Sequence, residues 1–180
     1  MILPHDWFPG PLPSNVELGE RCWLYSSFAF LHYQSRRPCG VRVGHDTGIY
    51  IGTHFAVGPD GEVEIGHHGT LNGPVISTNG RVIIGDYALI SFNVTIADSF
   101  AAAPPTREPV SRRDNRDIAP APIIIGDNVW IGTRAVLLAG AKLGTGVIVG
   151  AATVVDGEVP PYAIIAGSPA KVVGWARPRP

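Results

Sequence analysis

Aliphatic residues recur at every sixth position through the second half of this chain: Ile125, Ile131, Leu137, Leu143, Val149 and Val155. The next position is usually glycine (Gly126, Gly132, Gly144, Gly150), and the fourth is always small or β-branched (Val129, Ala135, Ala141, Val147, Thr153, Val159). A helix would carry positions six apart around its circumference instead of along one stripe, and a long alternating strand has no reason to break every six residues. The period suits short strands joined by tight corners and stacked coil upon coil, a parallel β-solenoid. In such a coil the aliphatic residue points inward onto its counterpart in the next coil, and each burial contributes roughly 1.5–3 kcal/mol. The glycine is expected to let the backbone turn without a Cβ penalty. The small residue fits the cramped interior beside the corner.

The pattern extends upstream through Ile84, Ile90 and Ile96, through Ile65 and Leu71, through Val43, Ile49 and Phe55, and through Leu18, Leu24 and Phe30. Three hexads per coil predict about six coils, beginning near residues 18, 43, 65, 84, 125 and 143. The jump from 84 to 125 is too long for one coil. The excess is an extruded loop, residues 98–122, rich in Pro, Ala and alternating charge and without apolar period. Loops of this length are commonly functional or disordered, and position alone leaves two readings open: a tolerated surface insertion, or an arm that reaches a neighbouring subunit or covers a site. The expected organisation is an N-terminal cap and first coil over 1–40, a β-helix domain over 41–174 carrying that loop, and a tail over 175–180.

With 180 residues, 45% of them hydrophobic, one domain has ample core material. A formal net charge of -1 offers no electrostatic case for nucleic acid or an anionic membrane. Arg107, Arg112, Arg113 and Arg116 cluster in the loop but alternate with Glu108, Asp114 and Asp117, which reads as a solvated face. The two cysteines, Cys22 and Cys39, have neither metal-like spacing nor a disulfide framework. The opening MILPHDWFPGPLP lacks a basic stretch followed by an apolar run, so no signal peptide is expected, and no apolar stretch reaches transmembrane length. A cytoplasmic protein is expected. Flat apolar faces on a three-sided solenoid call for self-association, and the two terminal segments are its natural caps.

Residues 123 to 174 contain GDNVWIG, the Val159-Pro160-Pro161 turn and AGSPAKVV at 166–173, in that order. This stretch resembles the hexapeptide-repeat acyltransferases, above all the galactoside, maltose and nodulation-type O-acetyltransferases, and Ile84–Ile96 resembles the same family's preceding coil. The resemblance implies a left-handed parallel β-helix, a homotrimer with active sites in the clefts between subunits, and transfer of an acetyl or other acyl group from coenzyme A to a hydroxyl or amine, often on a sugar. It implies that Trp130 lines the acyl and acceptor pocket, that Thr133 and Ala151 lie along the pantetheine track, and that Lys171 stands near the nucleotide end, where an ammonium can meet phosphate. Asn93 matches a residue that contacts acceptor hydroxyls.

The chain departs from that pattern where the family carries a histidine as general base: aligned without gaps, its place is taken by Ala101, and no histidine occurs in residues 98–122. Losing a positioned base typically costs about 10²–10⁴ in rate. His67 and His68, at a corner where Asp86-Tyr87 and Asp127-Asn128 should stack, are candidate replacements, as is Asp98 at the root of the loop if desolvation raised its pKa. The competing reading is a catalytically inactive module that binds an acyl-CoA or a sugar on the same scaffold. A zinc hydratase resembling the γ-type carbonic anhydrases would need three convergent ligands. Those enzymes place two histidines five apart after a single upstream one, and His45, His54, His67 and His68 offer no such spacing, so no metal is expected.

Overall fold

The structure, a computed structural model, describes residues 3–8, 10–98 and 121–176. Short strands stack into three sheets, parallel from coil to coil. Sheet A contains Val16–Leu18, Val41–Val43, Glu62–Ile65, Arg81–Ile84, Ile123–Ile125, Lys142–Leu143 and Glu158–Val159. Sheet B contains Trp23–Leu24, Gly48–Ile49, Thr70–Leu71, Leu89–Ile90, Trp130–Ile131, Ile148–Val149 and Ala163–Ala166, with Lys171–Trp175 added on its end. Sheet C contains His54–Val57, Val75–Thr78, Thr95–Ala97, Val136–Leu138 and Val154–Val155. The parallel β-helix expected from the hexads is the fold.

The inward residues stack in register. On sheet A the column runs Leu18, Val43, Ile65, Ile84, Ile125, Leu143 and Val159. On sheet B it runs Leu24, Ile49, Leu71, Ile90, Ile131, Val149 and Ile165. On sheet C, Phe55, Ile76, Ile96, Leu137 and Val155 align. Ile84 sits directly on Ile125, so the ladder closes across the extrusion as if the intervening residues were absent. Most of that loop, including Ala101, lies outside the described residues. The small residues at the fourth position, Val129, Ala135, Ala141, Val147 and Thr153, are all buried.

The structure refines the coil reading in two places. Val159 opens a seventh, incomplete coil. Phe30 keeps its place in the column without belonging to a strand: it ends a 3-10 helix, Ser27–Phe30, and its ring stacks on Phe55 at 4.8 Å and 11°.

The glycines directly after the inward residue act through space and not through conformational freedom, unlike Gly52, Gly73 and Gly146, which take the left-handed position of their corners (φ 85°, 72° and 70°). Gly66 and Gly85 do not adopt positive φ; the left-handed residues stand two positions later, at His68 (φ 56°) and Tyr87 (φ 56°). A Cβ on Gly85 would lie 2.8 Å from both the Asp127 nitrogen and the Gly126 carbonyl carbon, backbone atoms of the next coil that cannot swing away. The left-handed turn is stabilised by its own N–H groups, since His68 and Tyr87 each donate to a corner carbonyl one coil back, His45 and His67 respectively.

The ends are closed differently. At the start, Leu12 enters the core, His5 stacks on Trp23 at 4.4 Å, and Asp6 accepts bonds from the Ser26 hydroxyl and the Ser27 and Phe8 amides. Desolvation works against the Asp6 carboxylate, but bonds from Ser27, Ser26 and Phe8 outweigh it and hold the carboxyl well below its usual range. At the far end Lys171–Trp175 returns antiparallel along Ala163–Ala166, with a bulge at Ile164/Ile165, and covers the open edge of sheet B. No helix among the described residues is long and apolar enough to cross a membrane.

The outer faces differ in character. Sheet A is charged, with exposed pairs Arg42–Glu17, Arg81–Glu64 and Lys142–Glu158 at 2.7–2.9 Å. Sheet B exposes Trp23, Leu89 and Trp130. Gly85→Ala should destabilise the protein by about 1–3 kcal/mol through overpacking. Gly157→Ala, where an added Cβ meets nothing within 4 Å, should leave the melting temperature nearly unchanged; calorimetric melts of the two variants check the contrast.

Candidate functional site

Because every coil repeats the same path, residues at equal corner positions form columns along the edges of the prism. The edge between sheets B and C carries Ser91-Phe92-Asn93, then Gly132-Thr133-Arg134, then Gly150-Ala151-Ala152. Asn93, Arg134 and Ala152 share the left-handed conformation (φ 56°, 62° and 55°). Arg134 N–H donates to the Phe92 carbonyl at 3.0 Å, and Ala152 N–H to the Thr133 carbonyl at 2.9 Å. Thr133 and Ala151 therefore occupy consecutive steps of one exposed column, with Asn93 one coil before them.

Trp130 projects from sheet B beside this edge, half exposed, and its indole N–H reaches the Ser91 hydroxyl at 3.4 Å. Lys171 lies opposite Ala166 at the end of the same sheet, exposed to solvent. The residues expected along the cofactor thus fall on one sheet and its edge.

The candidate bases do not join them. His67 and His68 sit on the edge between sheets A and B, in a ladder of hydrogen bonds. The His45 N–H donates to His67 Nδ1 at 3.0 Å, the His67 N–H to Asp86 Oδ1 at 2.7 Å, and the Asp86 N–H to Asp127 Oδ1 at 2.9 Å. His67 here does the work of an aspartate, with Nδ1 as acceptor and its proton on Nε2. His68 stacks on Tyr87 at 4.9 Å and 16°. Asp98 stands on the edge between sheets C and A, where its oxygens accept from the Thr78 hydroxyl at 2.5 Å and the Asn79 and Gly80 amides at 3.0 and 3.2 Å. His67 and Asp98 thus already tie corners together through side-chain hydrogen bonds.

On the same A–B edge, Arg21 grips both oxygens of Asp46, Nε to Oδ1 at 2.5 Å and Nη2 to Oδ2 at 2.6 Å, and His45 Nδ1 lies 2.6 Å from Oδ2. The Arg21 guanidinium, and after it His45, holds the Asp46 carboxyl well below its usual range.

A cavity of about 300 Å³ opens at the N-terminal end of the B–C edge. Tyr25, Tyr50 and Ile51 from the first two corners line it, with Trp7 and Phe28 from the N-terminal segment and His54 at the start of a sheet C strand. Phe28 lies 5.4 Å from Trp7, and its ring meets His54 edge-on at 5.4 Å and 70°. Neither ring nitrogen of His54 has a hydrogen-bond partner among the described residues. Burial, reinforced by the nearby charge of His32, pushes its pKa down, so the imidazole is neutral and able to accept a proton near pH 7. The six-residue pattern does not single out His54. The available signals were its outward position just before Phe55 and the aromatic density of the first forty residues.

A family model described as bacterial transferase hexapeptide (six repeats) matches residues 122–157. WbbJ of Escherichia coli (strain K12), a candidate lipopolysaccharide biosynthesis O-acetyl transferase, is 33% identical over 151 residues, covering 77% of this chain and 76% of that protein. Galactoside O-acetyltransferase of the same organism is 30% identical over 133 residues, covering 73% of this chain; the chain spans 62% of that enzyme's length. Among solved structures, the hexapeptide-repeat acetyltransferase VCA0836 of Vibrio cholerae O1 biovar eltor, complexed with acetyl coenzyme A, superposes with a TM-score of 0.59 at 26% identity, covering 76% of this chain and 71% of that one.

Since the folded His54 ring binds a proton less readily than the unfolded one, its contribution to stability is complete above about pH 6.5 and shrinks as pH falls below it. Melting temperature should therefore fall between pH 7 and 5, and fall less in His54→Gln; thermal melts across that range test the sign.

Proposed function

The chain belongs to the hexapeptide-repeat acetyltransferases, and from that premise we propose that it is a CoA-dependent O-acetyltransferase, using acetyl-CoA or another acyl-CoA and a saccharide or similar small acceptor carrying a hydroxyl or amine. The observation that carries this reading is the alignment of Trp130, Thr133, Ala151 and Lys171 on one sheet and its edge. A cofactor with its nucleotide end at Lys171 can lay its arm along the exposed column, whose peptide groups recur at each coil step of about 4.8 Å. Asn93, next along that column, offers an amide to acceptor hydroxyls.

Four coil steps, about 19 Å, separate Ala151 from Tyr50 at the aromatic cavity, which lies in the direction the arm would run. Aromatic walls with a few polar groups suit a sugar ring or similar acceptor. We assign the base to His54. It removes the acceptor proton as the oxygen attacks the thioester carbonyl; the carbon–sulfur bond then breaks, and the departing thiolate regains a proton. The apolar outer face of sheet B fits a subunit seam, in keeping with a homotrimer. A second reading, a module that binds acyl-CoA or a sugar without turnover, draws support from Ala101.

Calorimetry with acetyl-CoA tests the cofactor site. Saturable binding is expected, weakened about tenfold by Lys171→Ala and also reduced by Trp130→Ala. Absence of binding at millimolar acetyl-CoA would sink the proposal. Thiol release in the presence of a sugar panel then separates the two readings: His54→Gln should keep cofactor affinity and lose about 10²–10⁴ in rate, whereas an unchanged rate removes His54 from the reaction.

A further inference from the structure

The six-residue period stacks whole corners, so histidines far apart in sequence meet where linear spacing gives no sign of it. We propose that His45, Asp46 and His68, on the A–B edge of the second and third coils, bind a divalent transition-metal ion of the zinc class. Asp46 and His68 occupy the same corner position in consecutive coils, both left-handed (φ 57° and 56°), so their side chains leave the backbone in the same direction. His45 Nδ1 lies 2.6 Å and His68 Nδ1 3.9 Å from Asp46 Oδ2, and one ligand atom from each residue falls within 4.8 Å of the other two. Bonds of about 2.0–2.1 Å in a tetrahedral site place donors roughly 3.3 Å apart. The two distances to Asp46 Oδ2 straddle that value, and the third, within 4.8 Å, exceeds it by at most about 1.5 Å, a gap that rotation of two partly exposed rings can close.

Both rings are held from behind. His45 rests against His67 at 4.0 Å, and His68 against Tyr87 at 4.9 Å. His67 is excluded from the ligand set because its Nδ1 already accepts the His45 N–H. Arg21 fixes the plane of the Asp46 carboxylate, as outer-shell partners of metal ligands do. It is also a competing cation, so an ion must take Oδ2 from the His45 proton and share the carboxylate with the guanidinium. Two imidazoles and one carboxylate favour zinc, cobalt, nickel or copper over magnesium or calcium. The rings are 41% and 39% exposed, which leaves room for water in the remaining position. Bound there, the ion would tie the second coil to the third, and through Arg21 to the first. This inference does not depend on acyl transfer.

The test uses untagged, chelator-treated protein, with zinc followed by calorimetry and cobalt by visible absorption. One zinc per chain is expected, with a tetrahedral cobalt spectrum and a melting temperature raised by several degrees at zinc well above Kd. His68→Asn, which keeps a residue tolerant of the left-handed corner, and His45→Ala should each weaken zinc at least tenfold, while His32→Ala should not. No zinc bound at tenfold excess by the wild type overturns the site, and so does affinity undiminished in His68→Asn. If His45→Ala melts early, His68→Asn decides alone.

Discussion

A single coil of this chain has an inside only three side chains wide and cannot fold by itself. Its stability comes from the next coil, whose aliphatic residues sit directly on its own. Stacking in register is therefore the constraint from which the rest follows. It requires each strand to return to the same register whatever the length of the coil, so extra residues leave at a corner, as between Ile96 and Ile123, where Ile84 still meets Ile125. It also draws backbones so close that glycine is required beside sheet A, where a Cβ on Gly85 would strike the next coil.

The same constraint separates structural from chemical side chains. Corner residues cannot face the core, so they must either bond the neighbouring corner or remain available. His67, Asp86 and Asp127 take the first course, each accepting an N–H from the coil before. Thr133, Ala151 and Asn93 take the second, on an edge whose corner side chains are exposed to solvent. His54, at the foot of that edge, is an imidazole with its nitrogens uncommitted and its charged form disfavoured by burial.

Much of this was legible in the spacing. From Ile125 to Val155 the inward residue of every strand can be read off directly, because the hexads there are uniform and each carries a small or β-branched residue four positions after the inward one. Further upstream the coils lengthen and the period loosens. Ile76 follows Leu71 by five residues where six was the rule, and Phe30 entered the column from a 3-10 turn that no strand pattern announces. Spacing does not tell a left-handed residue from a close approach, so the glycine after each inward residue suggests a free turn where the structure shows a tight contact. Position along the chain, which points to His67, His68 and Asp98, does not reveal that Asp98 is bound by Thr78, Asn79 and Gly80. The cavity around His54 is hidden in the sequence because its walls come from three separate segments, and the stretch before Leu18, which supplies Trp7, carries no repeat that would place it there.

The three sheets also set a mechanical direction. Hydrogen bonds between coils run along the axis of the prism, while the covalent chain runs around it. Pulled lengthwise, such a body has only these bonds and the apolar contacts to resist, and because each coil touches only its neighbours it should peel from an end one turn at a time. Force applied across the axis would have to stretch the backbone itself. The returning strand Lys171–Trp175, antiparallel to the rest, then acts as a latch on the end turn. It would have to slip before any peeling from that side could begin.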